Sequence, residues 1–146
     1  MNYTNRVSEE MYPLTTQYAD GRGFGTHYSE WVSLQDYHRA WLFVCLGDIS
    51  IGTMNVGLQQ AQDATGTGVK AITGKTITQL NAADGSDLVC IELQTEELDV
   101  DNGFEHVRFY VTLGTVGVSA IYSATLFGIC SRFKPIPTTN WTEIVD

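Results

Sequence analysis

Alternation of apolar and polar positions dominates the chain. Met54, Val56 and Leu58 alternate with Asn55, Gly57 and Gln59, the two-residue period of a half-buried strand. Val89, Ile91 and Leu93 stand against Glu92 and Gln94 in the same way, and Val107, Phe109, Val111 and Leu113 against His106, Arg108, Tyr110 and Thr112. Trp31, Val32 and Leu34 open an earlier short strand. The run from Ala40 to Leu46 is continuously apolar and too short for an ordinary helix, which predicts a central strand buried on both faces. Lys75 to Leu80 predicts a further strand, and Val116 to Ile129, apolar with Ser and Thr interleaved, the last. Turn-forming residues close these runs at Gly47-Asp48, Ala83-Asp84-Gly85-Ser86 and Asp101-Asn102-Gly103. Seven or eight short strands separated by turns predict an all-β fold, a single β-sandwich of which the jelly roll is one form.

The strand pattern fills residues 30–132, and the ends differ from it. Residues 1–29 lack a clear period but carry Tyr12, Tyr18 and Phe24; they read as an extended arm lying on another surface, in cis or in trans, that could be removed without unfolding the body. Residues 133–146 form a second arm. Pro135 and Pro137 at alternate positions favour an extended path and forbid a central strand. Trp141 near the end predicts docking, because leaving an indole in water forfeits about 2 kcal/mol of burial. Tyr12, Tyr18, Phe24, Pro135, Pro137 and Trp141 are therefore the candidate partner-binding residues. Gln59 to Gly74, rich in Ala, Gly and Thr, reads as a short helix or a long surface loop.

Charge narrows the partners. Seventeen acidic residues against eight basic ones leave a net charge of -9 in 146 residues, which opposes nucleic acid and anionic membrane surfaces. Cys45, Cys90 and Cys130 are widely spaced, odd in number and set in or beside apolar runs, so they read as free, buried thiols of a reducing compartment. The first residues have no apolar stretch behind them, and the longest apolar run is too short to span a bilayer. The expected location is a cytosol, or a particle assembled there.

Candidate chemistry is sparse. His27, His38 and His106 lack a second donor at ligand spacing. Asp99-Val100-Asp101-Asn102-Gly103 shares the opening of a calcium loop, but the position needing a bidentate acid is Tyr110. Gly74-Lys75-Thr76 lacks the glycine of a phosphate-binding loop, position 69 being Val69, and no Ser sits in a G-x-S-x-G elbow. The expectation is a protein without catalytic residues, metal or cofactor.

Four short runs carry a resemblance. Tyr37-His38-Arg39-Ala40-Trp41-Leu42-Phe43, Gln60 to Gly68, Lys70-Ala71-Ile72-Thr73-Gly74-Lys75 and Phe133-Lys134-Pro135 resemble segments of small structural proteins of tailed bacteriophages, over a stretch from about Trp31 onward. The resemblance implies a virion component, foremost a decoration or cement protein on the outside of the head. The implied partners are major capsid protein subunits and further copies of the chain, with a trimer favoured. A tail or head–tail connector component and a jelly-roll ligand-binding module are the alternatives.

Overall fold

The computed structural model describes residues 6–115, 117–134 and 137–145. A single helical turn, α1 (Val7–Glu10), precedes ten strands: β1 (Met11–Gly23), β2 (Gly25–Tyr28), β3 (Val32–Ser33), β4 (Tyr37–Ile49), β5 (Thr53–Ala61), β6 (Lys70–Thr76), β7 (Leu80–Asn81), β8 (Leu88–Gln94), β9 (His106–Leu113) and β10 (Ser119–Ser131). One sheet has the order β1-β10-β4-β8; the other is β2-β9-β5-β6, with β3 on β9 and β7 on β5. The pairings are nested and antiparallel: β1 with β10, β2 with β9, β4 with β8 and β5 with β6. The chain is one long hairpin rolled over itself, and that nesting makes the β-sandwich a jelly roll.

Period-2 patterning builds the core. Ala40, Leu42, Val44 and Leu46 of β4, with Ala120, Tyr122, Ala124 and Leu126 of β10, point into the space between the sheets. Met54, Val56 and Leu58 of β5, with Val107, Phe109, Val111 and Leu113 of β9, meet them from the other side. These side chains are at most 2% exposed, so a one-residue slip of any long strand would send its apolar set into water.

Several expectations are corrected. Residues 11–23 do not form an arm: they are the edge strand β1, and Gly25–Tyr28 is the edge strand β2. Two bulges, between Pro13 and Thr15 and between Gln17 and Asp20, break the alternation that would have revealed β1. Pro13 fits there because an edge strand has one side without ladder bonds. The stretch 59–74 is neither helix nor long loop. It is the end of β5, a short connection and the start of β6. Asp63 closes that connection: its carboxylate accepts bonds from the Thr65 and Thr67 amides (2.9 and 3.1 Å) and from both hydroxyls. These donors hold its carboxyl well below the usual carboxylate range. Gly66 (φ 87°) and Gly68 (φ 69°) supply left-handed turns between.

Two outcomes follow. Deleting residues 1–29 strips an edge strand from each sheet, so the truncated chain is expected to lose its cooperative melting transition; a folded truncation by near-ultraviolet dichroism would contradict the topology. Tyr122, 1% exposed with its hydroxyl donating to Gln17 of β1 (2.8 Å), is pushed up to about 12, chiefly by burial. Its pKa is higher folded than unfolded (about 10), so its contribution is complete below the unfolded value and is lost as pH rises through the folded one. Stability should fall between roughly pH 10 and 12. Tyr122→Phe should flatten that slope in denaturant titrations without abolishing it, because burial also raises Tyr37.

Candidate functional site

The four-stranded sheet has an outward face with no layer packed over it, and this face is the candidate site. Trp41, Phe43 and Cys45 alternate with the core residues of β4 and so project from it. Across the strands, Trp41 stands beside Phe127 and Glu92, Phe43 beside Thr125 and Cys90, and Cys45 beside Ser123 and Leu88. The rings form a ladder: Trp41 lies 5.5 Å from Phe43 and 6.1 Å from Phe127, which is 6.5 Å from Trp141. Tilted pairs at these spacings stabilise beyond their area alone. Beyond the ladder the face opens to solvent at Leu88 (65% exposed) and Ile121 (51%).

Charge is absent from the middle of this face. Phe43, Cys45, Leu88, Cys90, Ile121 and Thr125 are all uncharged, and Arg39 and Glu92 stand toward one end. At that end a cleft of about 440 Å³ is lined by Trp41, Arg39, Glu92, Glu10, Lys75 and Glu97, among others. Its charges largely satisfy one another. Lys75 pairs with Glu97 at 2.8 Å and donates to the Glu92 carbonyl, while Glu10 pairs with Lys134. The Lys75 bond holds the Glu97 carboxyl below its ordinary value. Among the described residues no group of three or more His, Cys, Asp or Glu is placed to hold a metal, and no helix is long and apolar enough to cross a membrane.

The residues expected to bind partners are dispersed. Tyr12 is buried (7% exposed), so it is unavailable to a partner: it forms a small cluster with Tyr37, against which Leu14 and Trp141 pack. Tyr18 and Phe24 are exposed on and just after β1, Pro137 is exposed, and Pro135 lies outside the described residues. Trp141 docks in cis. The Thr139 hydroxyl bonds the Tyr12 hydroxyl (3.0 Å), Asn140 donates its side-chain amide to the Pro13 carbonyl (2.8 Å), and the indole settles beside Phe127. The cysteines correct another expectation. All are free, but Cys45 and Cys90 are exposed and Cys130 half-buried, because the outward face of β4 has no layer over it. The available signal was the spacing itself: Trp41, Phe43 and Cys45 lie two apart, as Leu42, Val44 and Leu46 do, so the run holds two faces of different composition.

The strand order and the open apolar face define the molecule as a jelly-roll β-sandwich with an uncovered sheet. No family model matches the chain, and no curated protein matches it. Among solved structures, it is similar to a carbohydrate-binding module described as specific for non-crystalline cellulose (13% identity, TM-score 0.44, 82% of this chain and 80% of that one). It is also similar to chains from infectious bursal disease virus. For the Gx strain the values are 12% identity, TM-score 0.36, 90% of this chain and 32% of that one. For the Gt strain they are 9%, 0.28, 84% and 42%. The chain thus spans less than half the length of either viral chain, and its fold class rests on its own strand pairing.

Docking of the tail in cis sets a prediction. Trp141→Ala should lower the unfolding free energy by about 2 kcal/mol, the burial contribution of a partly covered indole. Equilibrium denaturation measures it, and an unchanged midpoint would mean the tail does not rest on Tyr12 and Phe127.

Proposed function

We propose that the protein is a non-enzymatic structural component of a virus particle, a decoration or cement protein of a tailed-phage head. In this reading it lays the outward face of the four-stranded sheet against major capsid protein subunits. The observation that carries the reading is the uncharged middle of the face, where Leu88, Ile121 and two free thiols are exposed beside the half-buried Phe43. Contiguous apolar surface of this kind, rimmed by polar residues, marks an interaction site. Of the 17 acidic residues, only Asp20, Asp48 and Glu92 fall in described strands. Negative charge therefore gathers in turns and at the ends of the sandwich, where it keeps copies apart in solution without obstructing the face. Jelly rolls serve in viral shells and in lectins alike, so the fold alone does not choose between roles. The segments resembling tailed-phage proteins favour the particle.

Size brings a single copy close to a stable attachment. Three of the four strands are 13 residues long and the fourth is seven, so at about 4.8 Å between strands and about 3.3 Å per residue the face projects to roughly 700 Å². A stable contact covers roughly 800 Å² per partner. A trimer would multiply the contact and raise retention through effective concentration.

The test replaces exposed residues that support no core. Leu88→Glu combined with Ile121→Glu should weaken binding to stripped, expanded heads at least about tenfold, or 1.4 kcal/mol, with an unchanged melting temperature. Unchanged binding of the double variant would remove the face from the interface. Imaging of intact particles separates the second reading: a ring of few copies at one vertex would mean a connector or tail component.

A further inference from the structure

The second sheet differs from the first in one respect that composition conceals. Its six strands contain no Asp or Glu, although the chain has 17. They do contain three cations: Lys70, Lys75 and Arg108. Lys70 pairs with Asp99 and Lys75 with Glu97. Arg108 forms no ion pair among the described residues.

Arg108 is held in a fixed pose. It alternates outward from the core residues of β9, half-buried, with its guanidinium 3.9 Å from the Tyr28 ring centroid and 4.5 Å from that of Trp31. Its Nε donates to the Gln59 side-chain oxygen at 3.0 Å. Both terminal nitrogens lack a partner among the described residues, so the two-pronged edge of the fork is vacant. A fixed fork with a vacant edge suits the two oxygens of a carboxylate.

The surroundings are aromatic, with the Tyr28 and Tyr110 ring planes tilted 53° to one another. Tyr28 and Tyr110 lie side by side, centroids 6.4 Å apart. Tyr110 lies down across β5 because residue 57 is glycine: a Cβ there would stand 2.5 Å from the phenolic oxygen. Gly66, at φ 87°, admits Trp31 in the same way, with 2.7 Å from a Cβ to the indole nitrogen. On the same face the Thr26 and Thr112 hydroxyls share a bond at 2.9 Å. Rings laid along a sheet, with hydroxyls and amides between them, match a pyranose, which offers an apolar face and a rim of hydroxyls.

We propose that the outward face of the second sheet binds a carboxylate-bearing sugar of a polysaccharide, its carboxylate on Arg108 and its ring on Tyr28 and Tyr110. A cation–π clamp serving the fold alone would require neither the vacant fork nor a sheet free of carboxylates. The site lies on the opposite side of the sandwich from the apolar face, so it stands whether or not that face meets a capsid. The chain's acidic residues lie outside these six strands, and the two carboxylates that reach the sheet's lysines, Asp99 and Glu97, are paired with them.

Calorimetry on the full chain with an oligouronate and with a sialylated trisaccharide tests the site. The carboxyl-reduced sugars and an oligoglutamate peptide serve as controls. At least one acidic sugar should bind saturably, about tenfold tighter than its reduced form. Arg108→Lys, which keeps the charge but loses the fork, should remove most of that difference, and Tyr28→Ala should weaken both forms. In case a variant unfolds, titration of the unaltered protein supplies a second reading: resonances of Tyr28, Tyr110 and the Trp31 indole should shift with the acidic sugar. Absence of binding to both acidic sugars, equal affinity for the reduced forms, or equal affinity for oligoglutamate would each overturn the proposal.

Discussion

Met11 stands opposite Ile129 and Gly23 opposite Ser119, so the first long strand and the last run side by side through almost their whole lengths. This pairing joins residues from 96 to 118 positions apart in the chain. The inner pairings nest within it: β2 with β9, β4 with β8, β5 with β6. Closing such a span costs chain entropy that only a large buried surface offsets. The core residues of both sheets provide it, and the Tyr122–Gln17 bond fastens β10 to β1 at the edge. Topologies dominated by distant pairings fold slowly, so β1 is expected to be among the late contacts to form.

The same closure separates the two outward faces. One sheet exposes an uncharged aromatic ladder flanked by Leu88 and Ile121; the other exposes tyrosines, threonines and one arginine that has no ionic partner among the described residues. Hydrophobic burial favours the first against another protein, since it is non-directional and scales with area. The second offers directional donors and little greasy surface, which suits a polar ligand of defined shape. A sandwich presents these faces in opposite directions, so what covers one leaves the other open.

Acidic residues take the places that remain. Glu96, Glu97, Asp99 and Asp101 sit in the short 3-10 turns between β8 and β9 or beside them, and Asp63 ties the connection from β5 to β6. Glu97 accepts from the Gln94 amide, Asp99 from the Asn102 side-chain amide and Asp63 from the Thr65 and Thr67 amides and hydroxyls, local bonds of the kind short polar side chains make outside strands. Lys70 and Lys75 then reach from β6 to Asp99 and Glu97, pinning those turns across the gap between the sheets.

The strands β5, β8 and β9, the turns after them and the all-β class could be read from the sequence because a two-residue apolar period needs no knowledge of distant neighbours. The Asp63-x-Thr-Gly-Thr-Gly run held its own turn chemistry, yet it reads as loop or helix until β6 is seen to pair with β5. Strand β1 was hidden by its two bulges, whose positions are fixed by the register with β10 and not by local preference. Burial of Cys45 and Cys90 could not be inferred from the apolar run around them, because a strand with apolar residues on both sides looks the same whether one face or two are covered. By itself the sequence determined the strands' inward residues and the acidic turns, both consequences of short-range periodicity and residue type. Tertiary structure decided which strands are neighbours, which apolar face stays open and that Arg108 meets Tyr28 and Trp31, because those depend on long-range pairing that no local pattern encodes.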